Sequence, residues 1–246
     1  AAQVKAVVQT AAVLGQEFEV QILSKVLQSD TAVFQRVKQA EDEAIWLALS
    51  EIRYLFRHAL LRDAAYDMQL RAHRRQLHHL AAKSIEDLYM TDLTPYYADL
   101  VHHYRQAANH EKERHYAALA GRHAVEQFAN TEAVMYLSRA LDLTPEEDTE
   151  GRYDLLFVRQ SVHNVTGNRD VQAEDLDSLT ELADQIDDDR KRAEVAAEYA
   201  EYLRVVGSLD EALDGKPVRG LLFSSNLVKT EAASGVAVNV TTVSYR

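Results

Sequence analysis

The fold of this chain turns on residues 44 to 66, which read AIWLALSEIRYLFRHALLRDAAY. Aromatic and β-branched side chains form two runs, Ile45-Trp46-Leu47 and Tyr54-Leu55-Phe56, and a polar step at Ser50-Glu51 separates them. Two such runs around a polar turn predict a β-hairpin. From His58 onward the apolar residues recur at intervals of three and four, which predicts a helix. The stretch therefore marks a change from strand to helix.

Residues 1 to 41 predict three short helices before this hairpin. The first has an apolar face and ends at Gly15, a residue typical of helix C-termini. The second lies around residues 19 to 28, and the third follows Ser29 and Asp30, which are N-cap candidates. Three helices followed by a hairpin predict a winged-helix-like segment over residues 1–57.

Downstream, residues 58–112 predict connecting helices and residues 113–214 predict paired helices. In HYAALAGRHAVEQFANTEAVMYLSRALDLTP, residues 115–145, small residues recur on both predicted helices and Pro145 closes the second. This spacing is typical of tetratricopeptide repeats, because small residues let two helices cross closely. Weaker helix pairs follow and turn at Gly167 and Gly207. The fold class is mainly α, a winged-helix-like segment followed by an α-α superhelix of tetratricopeptide-like pairs, and residues 215–246 predict a strand-like or disordered tail.

The composition bounds the class of protein. The chain has 246 residues, 47% of them hydrophobic, which suffices for a packed core. It has no cysteine, which excludes disulfides and thiolate metal sites and, with no apolar leader, predicts a cytoplasmic setting. No apolar run approaches the roughly 18 residues that a membrane helix needs, so we expect no membrane partner.

The charge distribution disfavours nucleic acid as a partner. Residues 141 to 214 contain 21 acidic and 7 basic residues, a balance that repels phosphate backbones. The predicted recognition helix, DTAVFQRVKQAE at residues 30–41, has only Arg36 and Lys38 as cations. A DNA-binding regulator that uses the winged helix is therefore the weakest of the functional alternatives.

The spacing of the polar clusters in the middle of the chain disfavours both an active site and a metal site. His58 and Asp63 lie five residues apart on one predicted helix, so their side chains diverge by about 140° and disfavour an acid-base pair. Nine of the ten histidines lie between residues 58 and 123, but no pair has the i, i+4 spacing of a metal-binding helix. We predict no catalytic and no metal-ligating residue, and in each adjacent pair, His78-His79 and His102-His103, one buried ring and one exposed ring.

Five segments together resemble a known family. They are VLGQEF, FRHALLRDAAY, RRQLHHLAAKSIE, DLVHHY and YAALAGRHA, at residues 13–18, 56–66, 74–86, 99–104 and 116–124. Their order is similar to the region downstream of the nucleotide-binding domain in bacterial signal-transduction ATPases with numerous domains, including multidomain cyclase relatives and large LuxR-type ATP-dependent regulators. The resemblance implies these signature positions for the joint between sheet and helices: Phe56, His58, Leu61, Arg62, Ala65, Tyr66, Arg75 and His78.

The resemblance also implies a role. The chain lacks the G-x-x-x-x-G-K-[ST] loop that cradles phosphates, so it is expected not to be an enzyme and to hold no cofactor, with ATP and Mg²⁺ confined to an upstream domain. We expect a non-catalytic sensor arm that packs on that nucleotide-binding domain and binds a protein or a small effector in a groove formed by the first helices of the pairs. The alternative is a free-standing tetratricopeptide adaptor. The groove candidates are His115, Arg122, Tyr153, Arg159, His163, Tyr199 and Tyr202.

Overall fold

The structure, a computed structural model, describes residues 2–28 and 30–207. Contacts divide it into a first unit that ends at Pro145 and a second that begins at Glu146. The first unit contains α1 (Ala2–Leu14), β1 (Glu17–Glu19), α2 (Val20–Leu27), α3 (Asp30–Asp42), β2 (Trp46–Ala48), β3 (Arg53–Phe56), α4 (Ala59–Asp67), α5 (Arg71–Leu88), a 3-10 turn (Thr94–Tyr96), α6 (Tyr97–Gln106), α7 (His110–Glu126) and α8 (Asn130–Asp142). The second contains α9 (Thr149–Thr166), α10 (Arg169–Ile186) and α11 (Asp189–Val206). The prediction of a mainly helical protein is confirmed.

The predicted hairpin is present and carries the core of the first unit. Strands β2 and β3 pair antiparallel, and β1 pairs antiparallel with the other edge of β3, so the sheet order is β1-β3-β2. Phe18, Trp46, Tyr54 and Phe56 are buried together, with the Phe18 and Trp46 rings 5.1 Å apart. The Trp46 indole N–H donates to the carbonyl of Val37 on α3 at 3.0 Å. The aromatic runs thus fix α3 against the sheet.

The helix predicted to start at His58 is broken once before residue 88. Helix α4 ends at Asp67 and α5 begins at Arg71, with Leu70 in an extended conformation between them. Gln69 is buried at this break, and its amide donates to the carbonyl of Gln9 on α1 at 2.9 Å. The helix thus breaks at Gln69, whose side chain is hydrogen-bonded to α1, although the apolar periodicity of the sequence continues in both α4 and α5.

Helices α7 and α8 pack closely at Gly121, as the small residues predicted. A Cβ added there would lie 2.7 Å from Cγ of Leu137, which is fully buried on α8. Four alanines, all nearly or fully buried, line the same interface: Ala117, Ala120, Ala133 and Ala140. The two helices therefore approach to a distance that excludes even one methyl group at this position.

We expect Gly121→Ala to lower the free energy of unfolding of the first unit by about 1–2 kcal/mol. Alanine favours a helix over glycine by about 1 kcal/mol, but the overlap with Leu137 costs more. In a Leu137→Ala background only the backbone nitrogen of residue 137, at 3.1 Å, stays close to the new methyl group, so the same change should cost clearly less than in the wild type. Urea unfolding followed by the fluorescence of Trp46 measures both effects, and a stabilising Gly121→Ala in the wild-type background would contradict the close crossing.

The second unit consists of α9 packed on α10 and α10 packed on α11. Helices α9 and α11 end at Gly167 and Gly207, which have φ values of 73° and 75°, so the predicted turns lie where expected. Asp188 accepts hydrogen bonds from the amides of Arg190 and Lys191 in the first turn of α11. Residues 208–246, with the predicted partner of α11 and the predicted tail, lie outside the described residues. The predicted boundaries after residues 57, 112 and 214 stay predictions.

Candidate functional site

The signature positions of the joint fall into buried and exposed groups. Phe56 and Ala65 are buried in the core of the first unit, and Tyr66 packs against that core. The other buried member, His78 on α5, lies with its Nε2 3.0 Å from the Tyr66 hydroxyl. His58, Leu61 and Arg75 are exposed, and Arg62 is half-buried in an ion pair with Asp63 at 2.6 Å. The joint is therefore a packed connection, and Asp63 pairs with Arg62.

The outer face of α4 is apolar and uncovered. Leu60, Ala64 and Met68 follow one another at intervals of four, so they share one side of the helix, and all three are exposed. Leu60 is 82% exposed and Met68 71%. Large apolar side chains that stand together in water are typical of surfaces that bind another protein. This α4 stripe, residues 60, 64 and 68, lies beside the face that holds Ala65, about 100° away around the helix axis at Ala64.

Three histidines from two helices meet beside the joint. His78 on α5 and His103 on α6 are 1% and 3% exposed, and their Nδ1 atoms lie 2.9 Å apart. His102 is exposed at the edge of the cluster, 5.5 Å from the His78 ring and 5.4 Å from the His103 ring, measured between ring centres. One ring nitrogen of each histidine lies within 4.8 Å of the other two. In both adjacent pairs one ring is buried and the other, His79 or His102, is exposed, as predicted.

The surroundings keep this cluster uncharged. Burial lowers the pKa of His78 to about 3, and His102 and Arg74 contribute to the shift. Burial also holds the pKa of His103 well below 6.5, with smaller effects of the other two rings. The pKa of His102 is lowered mainly by desolvation, which Asp99 opposes and Arg105 and Arg62 reinforce. At neutral pH the buried rings therefore stay neutral, and each neutral imidazole has one nitrogen whose lone pair can bind a metal ion.

A buried carboxylate connects three helices of the first unit. Glu113 on α7 is fully buried and accepts hydrogen bonds from Nε of Arg105 on α6 at 2.8 Å and from Nε of Arg139 on α8 at 2.7 Å. Burial alone would raise the pKa of Glu113, but the two guanidinium groups outweigh it and hold the pKa below its usual value. These contacts use the carboxylate for structure, since it bridges fixed cations.

An open cavity of about 810 Å³ lies between α2 and α5. Its wall is mixed, with Val20, Phe34 and Leu80 beside Ser24 and Ser84. Lys25 and Asp87, which also line it, form an ion pair at 3.1 Å. The cavity thus gathers polar and apolar groups, and an ion pair crosses its wall.

The groove candidates differ in exposure. In the first unit, His115 and Arg122 on α7 are exposed. In the second, Tyr153, His163 and Tyr199 are buried, and Arg159 and Tyr202 are half-buried. The buried ones make contacts within the helix layers: the Tyr199 hydroxyl donates to Asp177 at 2.9 Å, and the Tyr153 hydroxyl donates to the Lys191 carbonyl at 3.3 Å. Of the predicted set, His115 and Arg122 are thus the members placed to meet a partner, and the groove stays a prediction.

His163 on α9 is expected to make the second unit sensitive to acid. Its ring is 4% exposed, Nε2 is buried without a hydrogen-bond partner, and burial lowers its pKa below 6.5. The unfolded state therefore binds the proton first, so His163 favours folding above pH 6.5 and this stability is lost as the pH falls towards the folded pKa, by at most about 1.4 kcal/mol per pH unit.

A histidine C2-proton NMR titration tests this expectation, with His163→Gln to assign the signal. The His163 signal should titrate below pH 6.5, and the same titration of the urea-unfolded chain serves as the reference. A His163 signal that titrates at or above this reference would contradict the assignment of a desolvated ring.

The spacing argument missed the histidine cluster because the cluster joins two helices. His78 lies on α5, and His103, 25 residues later, lies on α6 beside His102. The available signal was the repeated His-His dipeptide at positions 78–79 and 102–103, on two predicted neighbouring helices.

Within residues 2–28 and 30–207 no helix has both the length and the apolarity to cross a membrane. No protein-family model and no curated protein matches the chain, so the family resemblance stays an expectation and the function is argued from the geometry above.

Proposed function

We propose that this chain is a non-catalytic regulatory region of a larger bacterial ATP-dependent signalling or transcription regulator, and that it works by binding proteins. The α4 stripe is the observation that carries the proposal. Its residues are apolar, they share one face, and they stand in water although Ala65, on the neighbouring side of α4, is packed in the core. An apolar face that the core leaves exposed is typical of a surface that a second partner covers.

The occupant that we propose for the α4 stripe is the nucleotide-binding domain expected upstream in the same polypeptide. The order α1-β1-α2-α3-β2-β3, with a three-stranded antiparallel sheet, supports a winged-helix-type segment at residues 2–57. Helix α4 follows that segment directly, as the joint does in the family that the sequence resembles. The packed pairs α7-α8 and α9-α10 support a repeat-type arm downstream.

The same geometry disfavours DNA reading by the winged-helix-type segment. Lys38, one of two cations on α3, forms an ion pair with Glu41 on the same helix at 2.9 Å. Phe34 stands beside it, 46% exposed. A helix whose surface offers an apolar ring and a paired lysine lacks the free positive charges that bind phosphate.

The first experiment measures the intact mass and the N-terminal sequence of the native polypeptide in lysate of its own cells. We expect a much larger chain with a phosphate-binding loop upstream of these residues. A native product of about 246 residues would overturn the proposal and leave the free-standing adaptor as the interpretation to pursue.

In the native polypeptide, amide hydrogens of residues 59–70 are expected to exchange at least about 10-fold more slowly than in the present chain, because a covered helix opens less often. The double change Leu60→Gln and Met68→Gln should remove this added protection, since polar groups disfavour an apolar interface. Hydrogen–deuterium exchange with mass spectrometry measures both.

Met90→Gln is the matched control, because Met90 is 74% exposed in the same unit but lies outside the stripe. It should leave the protection of residues 59–70 unchanged. Equal exchange of these residues in the native polypeptide and the present chain would show that α4 is uncovered in both, and would remove the basis for docking at this face.

A further inference from the structure

We propose that His78, His102 and His103 bind one divalent transition-metal ion of the zinc class. This site goes beyond the regulatory role above and does not depend on it. Three imidazoles are the protein ligands of one common type of zinc site, in which water occupies the fourth position. Copper and nickel also favour imidazole nitrogen, and magnesium and calcium favour oxygen, so the ligand set selects the former group.

The distances fit three rings around one ion. Zn–N bonds of about 2.0–2.1 Å in a tetrahedron place two ligand nitrogens about 3.3 Å apart. The Nδ1 atoms of His78 and His103 are 2.9 Å apart, so a small widening suffices to admit the ion between them. The three rings form a nearly equilateral triangle, with centre-to-centre distances of 5.2, 5.4 and 5.5 Å. One nitrogen of each ring lies within 4.8 Å of the other two, so modest movements of the rings would bring all three to the spacing of zinc ligands.

The proton arrangement also suits a metal ion. In the metal-free protein the two close Nδ1 atoms share one hydrogen, because one must donate to the other. When the ion binds, both lone pairs turn to it, and each neutral ring keeps its single proton on Nε2. His78 Nε2 can then donate to the Tyr66 hydroxyl 3.0 Å away, the kind of outer contact that orients metal-binding histidines. No net proton is released, since both rings are neutral at the start.

The charges around the cluster act in both directions. Asp99, one turn before His102 on α6, favours a cation, whereas Arg62, Arg74 and Arg105 disfavour one. His102 is exposed, so the ion enters from solvent at that side and keeps water as its fourth ligand. The site therefore holds an ion by three neutral donors, and its outer edge is open.

A bound ion would connect elements that the fold otherwise joins by packing. His78 belongs to α5, His102 and His103 belong to α6, and Tyr66 brings in α4, which carries the exposed stripe. The ion would therefore fasten the joint helix to the two helices that follow it. This assigns the cluster a role in holding α4, α5 and α6 together, and the metal ion becomes a ligand that stabilises the first unit.

The test uses the untagged 246-residue chain, freed of metal by dialysis against a chelator. Calorimetric titration with Zn²⁺ should show one equivalent bound, and Co²⁺ should give the visible absorption of a tetrahedral site. His102→Ala, at an exposed position that the fold tolerates, should weaken binding at least 100-fold. Tyr66→Phe, which keeps the ring but loses the hydroxyl, should weaken it about 10-fold.

His79→Ala is the matched control, because His79 is the exposed neighbour of His78 and lies outside the cluster. It should bind Zn²⁺ as tightly as the wild type, within twofold. Zn²⁺ should also raise the Tm of the wild type and of His79→Ala, and leave that of His102→Ala unchanged. No binding at a hundredfold excess of Zn²⁺, several weak equivalents, or equal binding by His102→Ala would each overturn the site.

Discussion

Replacing Trp46 by alanine is expected to lower the free energy of unfolding of the first unit by about 4 kcal/mol. Trp46 is fully buried, its ring lies within 5.1–6.4 Å of Phe18, Phe56 and Tyr54, and its N–H bond to α3 is lost as well. Deletion of a large buried ring costs about 3–5 kcal/mol because a cavity remains. Since whole domains are stable by about 5–15 kcal/mol, the variant should lie close to the limit of folding.

Circular dichroism must follow this unfolding, because Trp46 is the only tryptophan and its removal abolishes the fluorescence signal. Trp46→Phe keeps most of the apolar volume and should cost about half as much. Leu47→Ala is the control on the same strand: Leu47 is 39% exposed, and the change should cost less than about 0.5 kcal/mol. Equal losses at positions 46 and 47 would contradict the placement of the aromatic core.

The second large effect is expected for Asp175→Ala, which should destabilise the α9-α10 pair by about 3 kcal/mol. The Asp175 side chain is 3% exposed, and its two oxygens accept from Nε and Nη2 of Arg159 at 3.0 and 2.6 Å. Removal of one partner of a buried ion pair leaves the other charge poorly solvated, which typically costs 3–5 kcal/mol. Native-state hydrogen exchange of the amides in residues 149–186 measures the loss locally.

Glu194→Ala is the comparison for an exposed pair. Glu194 accepts from Arg190 at 3.0 Å on α11, but the two side chains are 39% and 86% exposed, so the change should cost less than about 0.5 kcal/mol. The double change Arg159→Leu with Asp175→Leu should recover most of the lost stability, because two apolar residues need no charge partner. If Asp175→Ala cost no more than Glu194→Ala, the pair would be solvated rather than buried.

Periodicity and composition identified most of the fold because those signals are local. The apolar face ending at Gly15, the aromatic runs around Ser50, and the small residues near Gly121 each predict an element or a crossing from neighbours in sequence. Strand β1 was missed because three residues are too few to show alternation, and its pairing depends on the free edge of β3, a partner 34 or more residues away. The break at Gln69 was missed because a contact with α1 causes it.

The candidate sites also divide into features that local spacing predicts and features that depend on how helices pack. Spacing within one helix disfavours an acid-base pair of His58 and Asp63, and the structure places Asp63 in an ion pair with Arg62. That the chain has no catalytic residue stays a prediction. The same argument could not detect the convergence of His78 with His103, because it depends on how α5 packs on α6. The sequence also could not predict the exposure of the groove candidates: Arg122 and His163 both lie on first helices of pairs, but Arg122 faces water and His163 is buried.

Helix α5 has 18 residues and is therefore about 27 Å long, and it contacts α1, α2 and α6 along that length. Its amino end adjoins α4 and its carboxyl end adjoins α2. If such a helix tilts by about 5° around one end, its other end moves by roughly 2 Å. Helix shifts of this size switch many regulatory proteins. A small displacement of α4 at the joint would thus move the carboxyl end of α5, beside α2, far enough to repack side chains there.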